Sequence, residues 1–321
     1  MAQGKLVDSY GRIHSYLRIS LTSACNFKCG YCVGDSPSKP ATSSLDMSSF
    51  LRVVRLLAVH GVSKVRLTGG EPTLRPDLPE IVSNLKAISG IRHVGITTNG
   101  FVLSRIAGSL ASAGLDSVNI SLDSLVPGKF AFITKVDGFA RVWKGMEASI
   151  GLFPTVKLNV VVMNGFNEDE LANFVEVAGK FSITVRFIEY MPFPGNAWSL
   201  RKFISLEDMK KRLLERFKLI PAVAKDPIAE YYEVVGQTGR IGFISSISQP
   251  FCEACNRIRL TSDGSLKVCL HDNEERKLDL TLSDEELLRE IQAVLVRKRL
   301  QHDPATDLVA APNRSMVNIG G

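Results

Sequence analysis

From about residue 16 to residue 190 the chain alternates short apolar segments with amphipathic ones, the cadence of a parallel sheet or barrel covered by helices. YLRISLT at 16–22 reads as the first strand. SSFLRVVRLLAVHG, 48–61, carries apolar residues at helical spacing and closes on Gly61, and VSKVRLT, 62–68, follows as a strand. The unit then repeats. A helix in LPEIVSNLKAIS leads to a strand in VGITT, and a helix around LSRIAGSLASAG leads to a strand in SVNISLD. A helical stretch near 139–152 precedes the strand VKLNVVVM, and the helix EDELANFVEVAGK precedes the strand TVRFIEYM. About six strand signals result, fewer than the eight of a closed barrel, so the expected class is α/β.

Past Met191 the cadence breaks into MPFPGNAWS, a Pro- and Gly-bearing loop, then a mixed segment with a helix near 205–217. A boundary near 192–204 divides the chain into an expected partial barrel, 1–195, and a C-terminal subdomain, 196–321. LSDEELLREIQAVLVRKRL reads as a charged helix, QHDPATDLVAAPNRS as loop, and the sequence ends in SMVNIGG. At 321 residues the chain exceeds the roughly 100–200 of an average domain. With 45% hydrophobic and 22% charged residues it reads as a globular protein, neither disordered nor disulfide-stapled. No apolar run approaches the ~20 residues of a membrane helix, and MAQGKLVDSYGR lacks the apolar core of a secretory signal. The expected compartment is the cytoplasm.

All six cysteines fall into two tight groups: Cys25, Cys29 and Cys32, then Cys252, Cys255 and Cys269. In a reducing compartment such clusters ligate metal or do redox work more often than they form disulfides. The first group, C-x3-C-x2-C, follows the first strand, where barrel enzymes place chemistry. Three thiolates cannot by themselves close a tetrahedral zinc site, and none of His14, His60, His93, His271 or His302 makes a recognisable fourth-ligand motif with them. A [4Fe–4S] cluster can use three thiolates and leave one iron open for a ligand. Structural zinc remains the alternative.

Cys25, Cys29, Tyr31 and Cys32 meet the pattern C-x3-C-x-aromatic-C, and here the sequence resembles the radical S-adenosylmethionine (SAM) superfamily. The resemblance implies an incomplete (βα)6 TIM-like barrel, SAM chelated by the open iron, and reductive cleavage to a 5′-deoxyadenosyl radical. Tyr31 would contact SAM. TGGEP at 68–72 looks like the superfamily's GGE stretch, so Gly69, Gly70 and Glu71 are expected at the methionyl amine of SAM. Glycines there let a ligand approach the backbone closely. Further strand ends carry Thr97, Thr98 and Asn99 in TTNG and Ser121 in ISLDS, small polar groups suited to ribose or carboxylate hydrogen bonds, though each could equally serve a turn.

The second group, C-x2-C-x13-C, alone reads as an incomplete zinc ribbon with His271 as a conceivable fourth ligand. Against that stands Arg257-Ile258-Arg259, whose period of two aims both guanidiniums at one face beside the metal, where they suit an anionic ligand. Lys64 and Arg66 alternate in the same way on a strand running into TGGEP. Arg18, Lys157 and Arg186 also lie in otherwise apolar strands, and basic residues there need bound anions or carboxylates. These placed charges say more than the formal net charge of +6, which a soluble surface explains equally well.

The whole set resembles one radical SAM family, the GTP 3′,8-cyclases of molybdenum cofactor biosynthesis. The match runs through GRIHSYLRISLTSACNFKCGYC, KVRLTGGEP, ITTNG, NISLDSL, VKLNVVVMNGFN, VRFIEYMP, FCEACNRIRL and the terminal IGG, in order. It implies a SAM-binding cluster on Cys25, Cys29 and Cys32, with Tyr31, Gly70, Ser121 and Met191 among the SAM contacts. It implies a second [4Fe–4S] cluster on Cys252, Cys255 and Cys269 whose open iron takes the guanine of GTP. Arg18, Lys64, Arg66, Thr97, Lys157, Arg186, Arg257, Ile258 and Arg259 would surround GTP, with Arg257, Arg259 and the tail residues Gly320 and Gly321 serving catalysis.

The implied reaction removes the ribose 3′ hydrogen, joins C3′ to C8 of guanine and yields 3′,8-cyclo-7,8-dihydro-GTP. The implied partners are cyclic pyranopterin monophosphate synthase downstream and an electron donor, with a homodimer allowed and neither nucleic acid nor membrane expected. Ser23-Ala24, Val33-Gly34 and Thr73 depart from the commonest family pattern without removing a ligand. Two rivals remain: another radical SAM enzyme with an auxiliary cluster, and a cytosolic zinc-binding interaction module with a basic surface patch.

Overall fold

Side chains alternate across each strand, and in this chain the alternation separates an apolar outer face from a polar inner one. On the second strand Val65 and Leu67 join the core while Lys64, Arg66 and Thr68 face a central cavity. The computed structural model describes residues 4–33, 45–223 and 228–320. The six expected strands are present: β1 (Tyr16–Ser20), β2 (Lys64–Thr68), β3 (His93–Thr98), β4 (Ser117–Ser121), β5 (Thr155–Val162) and β6 (Thr184–Glu189). Six more follow: β7 (Leu219–Ala222), β8 (Glu230–Val234), β9 (Arg240–Ile244), β10 (Arg257–Leu260), β11 (Ser265–Lys267) and β12 (Glu275–Lys277).

They form one sheet in the order β12-β11-β10-β1-β2-β3-β4-β5-β6-β9-β8-β7. From β10 to β9 every neighbour is parallel, so β10 and β9 extend the six-strand barrel wall at either end. Antiparallel strands finish both edges. Residues after 196 therefore contribute to both edges of the sheet that residues 16–189 begin.

The outer helices follow local chemistry. Met47–Val59 begins where the Asp46 carboxylate accepts from Ser49 N–H at 2.9 Å, and it buries Phe50, Leu51, Val53, Val54, Leu57 and Ala58. Asp284–Leu295 starts in a capping box of Ser283 and Glu286 and buries Leu287, Ile291 and Leu295. Besides the one-turn helices Gly30–Val33 and Met316–Ile319, two longer helices lie outside the sequence expectation. Pro127–Thr134 buries only Phe130, Ile133 and Thr134, and Ala305–Ala310, within a segment read as loop, buries only Leu308. Too few anchors left a period to read. Among the described residues no helix is long and apolar enough to cross a membrane.

Candidate active site

The loop after β1 carries the first triad and rests on the GGE turn after β2. A Cβ on Gly70 would sit 2.3 Å from the Ala24 carbonyl oxygen, and one on Gly69 would sit 2.5 Å from that of Thr22. Gly70 N–H donates to Thr22 O at 2.6 Å and Glu71 N–H to Ala24 O at 2.8 Å. The glycines thus let one loop backbone approach another, and both also line the cavity where the ligand is expected.

Glu71 is equally committed to the protein. Buried to 1% exposure, its carboxylate accepts from Thr73 N and Oγ1, from Thr98 Oγ1 and from Asn99 N, at 2.6 to 3.0 Å. The departure Thr73 is therefore one of its donors, and Thr98 and Asn99 brace the turn while Thr97, next on the strand, faces the cavity. Thr97 Oγ1 is buried without a hydrogen-bond partner, an orphaned group aimed where a ligand would lie. Gly34, of the Val33-Gly34 pair, lies outside the described residues.

Cys25, Cys29 and Cys32 gather on this loop and the short helix Gly30–Val33. Burial first, then the neighbouring thiol of Cys25 and the Asp123 carboxylate, pushes the Cys32 thiol up to about 12; Cys29 is also held well above its ordinary value. The Tyr31 hydroxyl donates to Asp123 Oδ2 at 2.7 Å, which leaves its ring and backbone to the cavity. Asp123 in turn accepts from Val161 N–H, and burial raises its carboxyl to about 6. Ser121 and Met191 line the same wall.

The second triad stands on the short turn Cys252–Ala254, at Cys255 and after β11. Burial raises the Cys252 thiol, whereas at Cys255 the cations Lys298 and Arg257 outweigh burial and lower it. His271 was the conceivable fourth ligand. Its buried ring packs against Phe193 and His302 at centroid distances of 5.3 and 4.8 Å. Among the described residues no three His, Cys, Asp or Glu side chains gather as a single metal ion requires. A cubane places a separate iron under each thiolate and keeps the sulfurs further apart. The donor sets of both triads, three thiols each, fit a cluster with an open iron.

Both triads open on one cavity of about 850 Å³, and every expected cofactor or substrate side chain except that of Ile258 lines it. Ile258 differs from its neighbours: fully buried in the core, its side chain points away from the face shared by Arg257 and Arg259, which leaves its backbone as the part that could serve a ligand. Strand register sets three arginines side by side, Arg259 on β10 opposite Arg18 on β1 and Arg18 opposite Arg66 on β2. Like charges on adjacent strands repel, so this layer suits an anionic group. Burial, then the neighbouring Arg259, Arg257 and Arg66, pulls the Arg18 guanidinium well below its usual range, and burial followed by Arg257 on its own strand brings Arg259 to about 10. Tyr16 lies among them, with Arg66 Nε donating to its hydroxyl at 2.7 Å and Lys64 4.5 Å over its ring. Burial would raise that phenol, yet Arg66, Arg18, Arg257 and Lys64 bring it down to about 7.

Other residues the sequence reading missed hold the cations in place. Asn159 Oδ1 accepts from Arg186 Nε and Nη2 at 2.9 and 2.6 Å, and Asn119, with its oxygen turned inward, accepts from Arg186 and Arg66. Tyr231 receives Lys157 at 3.2 Å. Gly95 leaves the space that the Arg66 guanidinium crosses, for a Cβ there would meet Arg66 Nη2 at 2.9 Å. The alternation of NISLD and VKLN placed Asn119 and Asn159 on the inward face already; their partners were not readable.

The tail enters this layer. Gly320 O accepts from Arg259 Nη1 at 2.9 Å, with Arg18 Nη2 and Thr68 Oγ1 at 3.4 and 3.3 Å. Its φ of +69° and a Cβ position 2.4 Å from Thr68 Oγ1 require glycine. Gly321 lies outside the described residues.

A Radical SAM superfamily model matches residues 19–178 and a Molybdenum Cofactor Synthesis C model matches residues 183–304. The chain is 46% identical to molybdenum cofactor biosynthesis protein 1 of Mus musculus over 98% of its own length and 51% of that protein. It is 42% identical to the mitochondrial GTP 3′,8-cyclase of Arabidopsis thaliana over 98% and 83%, and 39% identical to the GTP 3′,8-cyclase of Heliobacterium modesticaldum over 98% and 100%. The chain thus spans about half the length of the animal relatives. In fold it is similar to Streptococcus suis SuiB bound to S-adenosylmethionine, at a TM-score of 0.63 and 15% identity over 92% of this chain and 68% of that one. It is similar also to native anSMEcpe with bound AdoMet, at a TM-score of 0.58 and 17% identity over 86% of this chain and 80% of that one. With near-full-length identity to two cyclases, both domain models and two cysteine triads around one cavity, the chain belongs to the GTP 3′,8-cyclase family of the radical SAM superfamily.

Proposed function

We propose that the chain converts GTP to 3′,8-cyclo-7,8-dihydro-GTP, the first step toward the molybdenum cofactor. The observation that carries this reading is the layer Arg259, Arg18 and Arg66 in one cavity between the two triads. Guanidiniums meet phosphate oxygens two at a time, and three of them on adjacent strands match the spread charge of a triphosphate.

Cys25, Cys29 and Cys32 would hold one cluster, with Tyr31, Gly69, Gly70, Ser121 and Met191 around SAM and Glu71 fixing the turn that faces it. Cys252, Cys255 and Cys269 would hold a second cluster facing the guanine. When bound, SAM and the first cluster supply a 5′-deoxyadenosyl radical able to take the 3′ hydrogen of the ribose. The chain's own work is to bind and orient. Arg257 and the arginine layer grip the substrate, Lys64, Lys157 and Arg186 extend the basic wall, and Thr97 offers its free hydroxyl. The carbonyl of Gly320 holds Arg259 and Arg18 in position at this end of the cavity. Cyclic pyranopterin monophosphate synthase would take the product and a low-potential donor would supply electrons. We place the reaction in the cytoplasm, whose reducing poise suits cluster-bearing thiols.

Anaerobic reconstitution followed by metal analysis and a SAM-cleavage assay tests the reading. About eight irons per chain are expected, with 5′-deoxyadenosine formed only when GTP is present. Stoichiometric zinc without iron, or cleavage indifferent to GTP, would overturn it. Alanine at Cys252, Cys255 and Cys269 together should keep SAM binding at the first triad and abolish cyclisation.

A further inference from the structure

The run Arg297-Lys298-Arg299 ends a charged helical segment, and its flanking arginines are exposed as that setting implies. Lys298 is not: only 3% of it reaches solvent. Its ammonium meets two groups, donating to Cys255 Sγ at 3.3 Å and to the Arg257 carbonyl at 2.8 Å. Among the described residues no carboxylate lies within ion-pair distance of it. Buried ammonium groups are costly unless a counter-charge meets them, so the counter-charge here is the sulfur of the second triad.

The ammonium is also fixed in place. Arg12 Nη1 donates to the carbonyls of Cys252 and Leu300 at 2.8 and 2.9 Å, and Arg12 Nη2 donates to that of Arg299 at 2.8 Å, which ties the turn of the triad to the segment bearing Lys298. Asp8 anchors Arg12 in turn, Nε to Oδ2 at 2.6 Å. The first triad has the opposite surroundings: the carboxylates of Glu71 and Asp123 stand beside it, and the N–H groups that reach the Cys25 sulfur, the Phe27 backbone at 3.4 Å and the Asn99 side chain, are neutral.

We propose that Lys298 is a positioning residue for the second cluster, its ammonium bonding the Cys255 sulfur so as to raise that cluster's reduction potential above that of the first. This inference rests on the reading of the second triad as a cluster site. One-electron reduction by an external low-potential donor adds a negative charge to the cluster, and a fixed N–H···S contact from a cation stabilises the more negative state. The carboxylates beside the first triad act in the other direction. Charge-assisted hydrogen bonds are strong enough for about a tenfold shift in the reduction equilibrium, which is about 59 mV for a one-electron couple.

The test is a dithionite titration of the reconstituted full chain followed by electron paramagnetic resonance, with the first cluster's signal assigned by its change on adding SAM. Lys298→Met should lower the second midpoint by about the tenfold equivalent and leave the first unmoved, and Lys298→Arg should restore it. Should Lys298→Met lose iron from the second site, Lys298→Gln, which keeps an N–H donor without charge, carries the test and should lower the midpoint relative to Lys298→Arg. Eight irons with an unmoved second midpoint in the neutral variants would overturn the role of Lys298 alone. Four irons in the unaltered chain would overturn the two-cluster reading, and this inference with it.

Discussion

Single residues in this chain act mostly by holding other residues. Glu71 touches four donors of its own fold, and Asn159, Asn119 and Tyr16 each pin a cation that faces the cavity. Arg66 shows how narrow the tolerances are, since its guanidinium spans Tyr16 OH, Ile96 O and Ser117 Oγ across the backbone of Gly95. A methyl group at residue 95 would stand 2.4 Å from Ser117 Oγ and 2.9 Å from Arg66 Nη2, so the flexible guanidinium must move. Gly95→Ala is expected to raise KM for GTP about tenfold, the equivalent of about 1.4 kcal/mol, while far-ultraviolet circular dichroism stays that of the parent. An unchanged KM would mean that Arg66 does not contact the substrate from its present position.

Among the elements, the C-terminal tail decides most. The helix Met316–Ile319 buries Val317 and Ile319, and Arg314 ties its approach to Asp263 and Glu275 at 3.1 and 2.9 Å. These contacts deliver Gly320 O to Arg259. Gly320→Ala combines a left-handed backbone with a Cβ 2.4 Å from Thr68 Oγ1, so the tail should leave the arginine layer. The expected outcome is a loss of kcat of about tenfold or more, each factor of ten being about 1.4 kcal/mol in barrier, with GTP binding by equilibrium dialysis retained. Loss of binding together with turnover would assign the tail to affinity instead. The tail was legible as a Gly-Gly pair from the sequence, but what seats it was not. Arg314 lies in a stretch read as loop, and its carboxylate partners come from the segment around β11 and β12.

The basic interior of the molecule holds two of its histidines, His14 and His93, toward the neutral form. His14 is fully buried, and burial followed by the charge of Lys298 brings it down to about 4; His93 reaches about 4 through burial, Arg66 and Lys64. Each folded value lies below the ordinary 6.5, so the stability these groups contribute is complete above pH 6.5 and is lost as pH falls toward 4. The unfolding free energy of the metal-free chain should fall across that window by up to about 1.4 kcal/mol per pH unit for His14 and by less for His93, whose half-buried ring solvent screens, and His93→Gln should remove its share. Urea titrations between pH 7 and 4 check this, and a flat profile would show that the histidines are charged in the fold.

Local pattern was enough for the α/β class, the six central strands, both cysteine triads and the inward face of the basic residues. Each of these is written in neighbours two to fourteen places apart. Folding in three dimensions was needed to set β10 beside β1 and β9 beside β6, to turn Ile258 to the core, and to bring Lys298 rather than its neighbours to a sulfur. Those outcomes depend on which distant segments share a buried surface. Pairing of that kind is set by the packing of the whole sheet and its desolvated charges, and no window of sequence contains both partners.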